Sequence, residues 1–444
     1  MQFQFKIVFQ QKNTFHRMKF KILTFIIISI FLCLSSVNSQ VNITINKDSK
    51  MDRNGVLDTT LNIPDEFNNT LDNMLQSWII KRAIPSNCRS SENIEVSDSL
   101  YKTRLSKMPC LMEMPYNVTV RSFIDLYTVH KRRQVEYMLG MSNYYFPLFE
   151  QVLSENNLPL ELKYLSIIES ALNTTIVSRM GAAGLWQLMI GTGRMYGLEI
   201  NSLVDERLSP VKATNAAAHF LKDLYSIYGD WNLVIASYNC GPGNVNKAIR
   251  RSGGKRDYWG IYQYLPKETR NYVPIFIAAN YSLHYSAEHN LCAAIVNMPA
   301  LTDTIMVNQR INLEQIAAVL NLSIDEIRLL NPQYRKDIIP GNIKPYSLCL
   351  PQNYINTFLS KVNEIAAYKA DELVNNRRLE IEIQQATENY TPGGSGKVII
   401  YKVKRGQTLS EIAARNGVSL IKLKKWNNIK SSKIKPGQRL KIIK

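Results

Sequence analysis

Apolar side chains recur at the spacing of a helix in the segment that follows Pro159. The recurring residues are Leu162, Leu165, Ile168 and Leu172. Pro159 suits the first turn of such a helix, because the N–H that a proline lacks would have no partner there. On a helical wheel, Glu169 falls between Leu162 and Leu165, on the apolar face. The pattern therefore predicts a helix that carries one carboxyl group toward the interior.

A carboxyl group on an apolar face resists ionisation, since burial raises the pKa of an acid. An acid that protonates a leaving-group oxygen must keep its proton near neutral pH, and a buried Glu meets that requirement. A second interpretation is that Glu169 turns outward at the helix end, to water or to Arg179. This segment alone leaves both interpretations open.

Helical patterns dominate the middle of the chain. The predicted helices cover residues 117–152 (two amphipathic helices), 213–228, 231–238 and a segment that opens at Leu265 and Pro266. Gly229 would end the third of these helices, because glycine readily adopts the left-handed conformation of a helix end. The central part of the chain is therefore expected to be all-α.

The C-terminal part contains a repeat. The regions 305–351 and 398–444 contain matching residues that align without a gap at an offset of 96 positions. The matched residues are Leu313, Ile316, Ala317, Asn331, Pro340 and Gly341 with Leu409, Ile412, Ala413, Asn427, Pro436 and Gly437. The first copy has Arg310 where the second has Gly406.

The formal net charge of +18 is concentrated at one end of the chain. Residues 397–444 contain 14 Lys or Arg and a single acid, Glu411. A basic module can attract nucleic acid, anionic lipid or the carboxylates of a bacterial wall, and charge alone does not choose among them. The hydrophobic content of 45% is ordinary for a globular protein with a sizeable core.

The N-terminus has the pattern of a secretory signal. Basic residues up to Lys21 lead into the apolar run Ile22 to Leu34, which Val37-Asn-Ser39 follows as a small-residue cleavage pattern. The run is short for a bilayer-spanning helix, although an uncleaved anchor is the alternative. We therefore expect secretion across the inner membrane and a periplasmic or envelope-associated protein, with possible membrane association.

The cysteines suggest an oxidising compartment and no metal. Cys33 would leave with the signal, and the spacing of the others contains no CxxC motif. We expect one disulfide, between Cys88 and Cys110, and a packed free thiol at Cys240. No metal site and no cofactor are expected.

Small and polar residues after Glu169 could form a sugar-binding groove. Ser178, Gly184, Trp186, Gln187 and Met189 combine close backbone approach with amide, aromatic and thioether groups, which suit a sugar with hydroxyl edges and apolar faces. The alternative for the nearby acids Asp205 and Glu206 is a second catalytic carboxylate, but a helix cap or an ion pair of Asp205 with Arg207 is favoured.

Two later stretches carry further candidates. Tyr238 and Asn239 stand at a helix end before a Gly-Pro-Gly turn, and Glu268 and Tyr272 share one helix face. Ordinary structural roles for them are a core tyrosine, a capping amide and a first-turn acid favoured by the helix dipole. The residues alone do not exclude these roles.

Four motifs occur in the order and spacing of a known family. They are Glu169-Ser170, Gly184-Leu-Trp-Gln-Leu-Met189, Ser237-Tyr-Asn-Cys-Gly-Pro-Gly243 and Glu268-Thr-Arg-Asn-Tyr-Val273. Together they resemble family 1 lytic transglycosylases, and the nearest likeness is to the membrane-bound murein transglycosylase D type, with C-terminal LysM modules. The resemblance implies a mainly α protein, with a lysozyme-like all-α catalytic domain and two small βααβ LysM modules.

The resemblance also implies an activity and a site. Glu169 would be the catalytic acid and then the base, and peptidoglycan would be cleaved between N-acetylmuramic acid and N-acetylglucosamine to give 1,6-anhydromuramic acid ends. The positions that match substrate-binding residues of the family are Ser178, Gln187, Met189, Tyr238, Asn239, Glu268 and Tyr272. The LysM modules would bind glycan strands, although Arg310 puts the sugar affinity of the first copy in doubt.

The resemblance implies a division of the chain as well. It comprises a signal (1–39), an N-terminal extension of unknown role (40–115), an SLT domain (116–290), a degenerate LysM module (300–352), a polar linker (353–396) and a LysM module (397–444). Three alternatives remain open: a goose-type lysozyme that hydrolyses the same bond, a non-catalytic wall-binding scaffold, and a nucleic-acid binder. The last depends only on the basic tail, so nucleic acid is not the expected partner.

Overall fold

The computed structural model describes residues 83–84, 92–375, 398–404, 406–416, 418, 420–429 and 434–443. The predicted signal, most of the N-terminal extension and the Gly-rich end of the predicted linker lie outside these residues. Among the described residues, no helix combines the length and the apolar character that a membrane crossing requires.

The first part of the described chain is helical. Its helices are α1 (Asp98–Lys107), α2 (Val118–Asp125), α3 (Arg132–Glu155), α4 (Leu165–Ser170), α5 (Ile190–Met195), α6 (Pro210–Tyr228), α7 (Trp231–Cys240), α8 (Pro242–Arg251), α9 (Tyr258–Ile261) and α10 (Lys267–His284). The two helices predicted between 117 and 152 are present as α2 and α3. A five-residue π-helical turn separates them.

Local signals fix the ends of these helices. Gly229 ends α6 with a φ of 66°, as the sequence predicts. Asp230 then accepts a hydrogen bond from the Leu233 amide at 2.7 Å and caps α7. The adjacent residues Gly229 and Asp230 therefore form the turn between α6 and α7. This turn sets the direction of α7, which carries Tyr238 and Asn239.

One hydrophobic core unites the helices. Its centre is Trp186, which is fully buried, donates to Thr214 Oγ1 at 2.9 Å and meets Phe149 of α3 edge to face. Helix α10 lies against α2 and α7 in the same core. Residues 92–115, assigned by the sequence to the extension, also enter it, since Tyr101 and Leu105 of α1 are buried there.

The LysM-like part that follows has its own core. Its strands are β3 (Thr302–Val307) paired antiparallel with β6 (Tyr346–Pro351), and β4 (Arg310–Asn312) paired with β5 (Ile338–Pro340), after the short pair β1 (Ala83–Ile84) and β2 (Ile295–Val296). Its helices are α11 (Leu313–Leu320), α12 (Ile324–Leu330), α13 (Ile355–Ala367) and α14 (Ala370–Leu373).

The core of this part continues past residue 352, where the sequence placed its end. Phe358 and Ile365 of α13 and the following Val374 are buried in it. The polar composition of residues 353–396 hid this, because only every third or fourth residue of α13 faces the core.

The C-terminal part repeats the module with fewer elements. It contains β7 (Val398–Lys402), α15 (Leu409–Asn416), α16 (Leu420–Trp426) and β8 (Arg439–Ile443), and β7 pairs antiparallel with β8. The prediction of a mainly α protein with two strand, helix, helix, strand modules is thus confirmed.

The cysteines correct one prediction. Cys110 is a free thiol, so the pairing of Cys88 with Cys110 is wrong, and Cys292 is the disulfide-bonded cysteine of the described chain. The Cys110 thiol instead donates to the Met112 carbonyl at 3.3 Å. Cys240 is a buried free thiol, as expected.

Candidate active site

Glu169 lies at the end of α4 with only 1% of its surface exposed. Burial raises the pKa of its carboxyl group from 4.5 to about 8, and a hydrogen bond with Tyr272 opposes part of this rise. The carboxyl group therefore carries its proton at neutral pH. The prediction that Glu169 points into the interior is confirmed, and the alternative of an outward turn to water or Arg179 is excluded.

Two tyrosines from different helices surround this carboxyl group. The phenol of Tyr272, on α10, donates its hydrogen bond to Glu169 Oε1. Tyr238, on α7, is also fully buried, and the charge of Glu169 adds to burial in raising its pKa well above the ordinary value. Its hydroxyl donates to the Trp186 carbonyl at 2.7 Å. The fold thus assembles at one place an acid and two phenols that lie far apart in the sequence.

The backbone changes direction immediately after the acid. Ala171 and Leu172 have φ values of 49° and 63°, a left-handed conformation that side chains larger than glycine rarely adopt. Ser170 ties this turn to the next segment, because its hydroxyl donates to the Leu185 carbonyl at 2.9 Å. The conformation ends α4 directly behind Glu169.

Residues 176–189, which we call the site loop, carry three of the predicted binding residues. Isolated antiparallel bridges join Val177 to Ala183 and Ala183 to Leu188, so the loop is folded on itself. Ser178 lies at one end, where its hydroxyl accepts from the Ala182 amide at 3.0 Å. The half-buried Met189 lies at the other end, before α5.

Gln187 is the most constrained residue of the site loop. Its φ is 42°, and its side-chain amide donates to the carbonyls of Gly184 at 2.9 Å and Ile176 at 3.2 Å. Among the described residues, none donates a hydrogen bond to its Oε1 atom, which is buried. A substrate N–H or O–H is a natural donor for an acceptor held in this way.

Asn239 and Glu268 occupy different settings. Asn239 is buried and accepts a hydrogen bond from Thr269 Oγ1 at 2.9 Å, which links α7 to α10. Glu268, the neighbour of Thr269, is exposed in the first turn of α10. The structure therefore brings Tyr272 and Tyr238 to the acid, attaches Asn239 to the same pair of helices and leaves Glu268 at the surface.

The second pair of acids has structural partners. Asp205 forms a buried ion pair with Arg207 at 2.7 Å, as the sequence favours. Glu206 accepts a hydrogen bond from the Glu199 amide at 2.7 Å, and burial raises its pKa. Both contacts belong to the segment between α5 and α6 rather than to the surroundings of Glu169.

Sequence reasoning missed two residues near the site. Tyr127 is fully buried, and its interaction with Tyr272 contributes to the raised pKa of Tyr272, so a third phenol lies near the tyrosine that contacts the acid. The sequence shows it only as an apolar-face position. Arg207 donates to the carbonyls of Gly181 at 2.6 Å and Leu188 at 2.9 Å in the site loop. Its spacing from Asp205 indicates the ion pair but gives no sign of these backbone contacts.

Comparison with known families agrees with this arrangement. The family model of the transglycosylase SLT domain matches residues 147–261, which include Glu169, the site loop and Tyr238. The model of the lytic transglycosylase MltD LysM-like domain matches residues 301–367, and that of the LysM domain matches residues 401–442. The chain therefore contains a transglycosylase SLT domain, followed by a LysM-like domain of the kind found in lytic transglycosylase MltD and by a LysM domain.

Individual relatives are similar to different shares of the chain. The chain is 29% identical to the membrane-bound lytic murein transglycosylase D of Escherichia coli K12, over 74% of this chain and 70% of that protein. It is 30% identical to the soluble lytic murein transglycosylase of the same organism, over 32% of this chain and 23% of that protein. The crystal structure of the 70 kDa soluble lytic transglycosylase from Escherichia coli matches with 28% identity over 34% of this chain and 26% of that chain, with a TM-score of 0.29.

Proposed function

We propose that this protein is a peptidoglycan lytic transglycosylase that cleaves the β-1,4 bond between N-acetylmuramic acid and N-acetylglucosamine and leaves 1,6-anhydromuramic acid ends. The observation that carries the proposal is the buried Glu169 of the matched SLT domain, whose pKa is about 8 and which accepts a hydrogen bond from Tyr272. An acid in this state holds the proton that a leaving sugar needs.

The proposed reaction uses one carboxyl group twice. Glu169 gives its proton to the glycosidic oxygen as the bond from that oxygen to C1 of the muramoyl sugar breaks. The C6 hydroxyl oxygen of the same sugar then bonds to C1, and its proton passes to the Glu169 carboxylate. No water is consumed, and the acid is regenerated. Because the attacking hydroxyl belongs to the same sugar, the step has a high effective concentration.

Tyr272 has a specific task in this cycle. Its hydrogen bond favours the ionised form of Glu169, which exists between the two proton transfers. Asp205 is paired with Arg207, and Glu206 is bonded to the backbone, so neither carboxylate is free to stabilise the positive charge that develops near C1. We assign that stabilisation to the N-acetyl group of the substrate, as in substrate-assisted enzymes.

The remaining site residues are proposed to hold the glycan. Gln187 offers its Oε1 acceptor, and Ser178 and Met189 stand at the two ends of the same loop. Tyr238 and Asn239 extend the site along α7, and Glu268 at the surface suits contact with the peptide-bearing sugar. We assign no metal and no cofactor to the reaction.

The chain organisation suits an enzyme of the cell envelope. We propose that residues 1–39 direct secretion, that the catalytic domain comprises 116–290 with residues 92–115 packed into its core, and that the two modules lie at 300–352 and 397–444. Helix α13, at the start of the segment 353–396, completes the core of the first module. The C-terminal LysM domain would hold the enzyme on glycan strands and raise its local concentration there. Membrane association, suggested by the name of the relative, belongs to this proposal as well.

Digestion of purified sacculi tests the function directly. The proposed enzyme releases muropeptides with 1,6-anhydro ends, which mass spectrometry distinguishes from reducing ends by the mass of one water. Reducing ends would instead identify a goose-type hydrolase. Binding to sacculi without any release would identify a wall-binding scaffold.

A further inference from the structure

The guanidinium group of Arg207 connects two parts of the molecule. Arg207 is 3% exposed and holds Asp205 with two hydrogen bonds, of 2.9 and 2.7 Å. Its third nitrogen donates to the carbonyls of Gly181 and Leu188. Because these two carbonyls belong to different turns of the site loop, one planar cation ties two parts of that loop together.

The site loop also lies directly against the backbone of Arg207. A Cβ atom on Gly184 would stand 2.1 Å from the Arg207 carbonyl oxygen, and one on Gly193 would stand 3.1 Å from its Cγ. No side chain fits between these surfaces. A displacement of Arg207 would therefore move the loop that carries Ser178 and Gln187, since packed interiors transmit such shifts.

Residues 199–207, which we call the bridging segment, are bound in turn by the LysM-like domain. The Asp205 amide donates to the Gln333 carbonyl, and the Arg335 amide donates to the Leu203 carbonyl, both at 2.9 Å. An isolated β-bridge joins Val204 to Tyr334. The side chains of Leu203 and Val204 are fully buried in the hydrophobic core of the LysM-like domain.

Charged groups reinforce the contact. Lys344 forms an ion pair with Glu199 at 2.7 Å, and the Tyr346 hydroxyl donates to the same carboxylate at 2.7 Å. The domain also packs against its own following chain, because Arg310 donates to the Val374 carbonyl and Gln315 to the Tyr368 carbonyl. Its contacts are thus made with the bridging segment and with its own chain.

We propose that the LysM-like domain is a structural support of the active site, and that Arg207 is the positioning residue through which it fixes the site loop. This inference rests on the proposed function, in which the site loop binds the glycan. The LysM-like domain holds the bridging segment by backbone hydrogen bonds and core contacts. Arg207, at the end of that segment, in turn holds the carbonyls of Gly181 and Leu188. The role of the domain is then to position the site loop rather than to bind sugar.

Two substitutions test the link in the full-length chain. Arg207→Lys keeps the charge but loses the planar fork, and Lys344→Met removes the ion pair with Glu199 without touching the site loop. We expect Arg207→Lys to raise KM for a soluble murein oligosaccharide about tenfold and Lys344→Met to raise it about threefold, with less change in kcat. The matched control is Arg328→Lys, which alters an ion pair with Asp337 in the same domain and changes no residue that contacts Glu199 or Arg207.

The double variant tests whether Lys344 acts on the site loop through Arg207. If Lys344 acts through Arg207, the effects of Arg207→Lys and Lys344→Met are less than multiplicative in KM. Independent, multiplicative effects, or KM values equal to that of the parent in folded variants, would overturn the proposal.

Hydrogen exchange separates this proposal from the proposed function. The amides of Ala183 and Leu188 bond to each other's carbonyls at 3.1 Å within the site loop. Both should exchange about tenfold faster in Arg207→Lys and Lys344→Met than in Arg328→Lys. This readout needs no activity, so an inactive parent would refute the proposed function alone. Unchanged exchange would refute the support role alone.

Discussion

Tyr272 donates its hydrogen bond to Glu169 across 103 positions of sequence. Burial raises the pKa of the acid, and this hydrogen bond lowers it. The two residues therefore set, in opposite directions, how readily the carboxyl group gives and accepts a proton. That balance suits a group that must act first as an acid and then as a base.

Substitution of Tyr272 by Phe tests this balance. Without the phenol, the ionised form of Glu169 loses its hydrogen bond, so the pKa of the acid should rise further. We expect kcat to fall about 10- to 100-fold and the basic limb of the pH profile to move to higher pH. The control is Tyr281→Phe, on the same helix, whose hydroxyl contacts Arg104 and His289 instead. A Tyr272→Phe profile identical to that of the control would contradict the assignment.

Glu169→Gln tests the catalytic acid itself. The amide keeps the shape of the side chain and removes the transferable proton, so we expect a folded protein whose release of anhydro-muropeptides falls by about 10²- to 10⁴-fold or more. Circular dichroism and binding to sacculi should match those of the parent. The exposed acid Glu314 provides the control, since Glu314→Gln should retain parental activity. Undiminished cleavage by purified Glu169→Gln would remove the proposed mechanism.

The same substitution predicts a change in the pH dependence of stability. In the folded protein the pKa of Glu169 is about 8, above its ordinary value of 4.5, so the folded state binds this proton more tightly than the unfolded state. The contribution of this proton to the free energy of unfolding is fully present below pH 4.5 and is lost as the pH rises through 8. Urea unfolding at pH 5 and pH 8.5 should therefore show a decrease in the parent that Glu169→Gln reduces by a few kcal/mol, by an order-of-magnitude estimate. An equal decrease in both proteins would contradict the raised pKa.

Much of this site could be predicted from the sequence because its signals are local. The helical spacing around Glu169 indicates its burial, and Gly229 marks a helix end that the structure confirms. The ion pair of Asp205 with Arg207 joins residues only two positions apart, so it could be predicted for the same reason.

The rest depends on contacts between distant segments. Tyr127 reaches Tyr272 only through the packing of the π-helical turn after α2 against α10, and no pattern near residue 127 shows it. The pairing of cysteines is likewise a property of the fold, which explains why Cys110 was assigned wrongly. The hydrogen bonds of Arg207 to the site loop arise from backbone carbonyls, which carry no sequence signature.

The charge of the C-terminal LysM domain leads to a last prediction. Lys402 of β7 stands directly opposite Arg439 of β8, and both side chains are exposed. Like charges facing each other across a strand pair are unfavourable, and an anionic polymer such as carboxylate-bearing peptidoglycan would relieve the repulsion. Replacement of both residues by Gln should leave the domain as stable as before, or slightly more so. It should also weaken the binding of full-length protein to sacculi at low salt by about 3- to 10-fold and flatten its salt dependence.

Sedimentation of the protein with purified sacculi at increasing salt measures this effect. A control with the same change in charge is Lys107→Gln with Lys361→Gln, on α1 and α13, outside the C-terminal domain. Lys402 and Arg439 act on binding to sacculi and not on the catalytic acid Glu169. Cleavage of a short soluble oligosaccharide should therefore be unchanged in both double variants. If the control weakens binding equally, the net charge of the chain rather than this strand pair governs attachment to the wall.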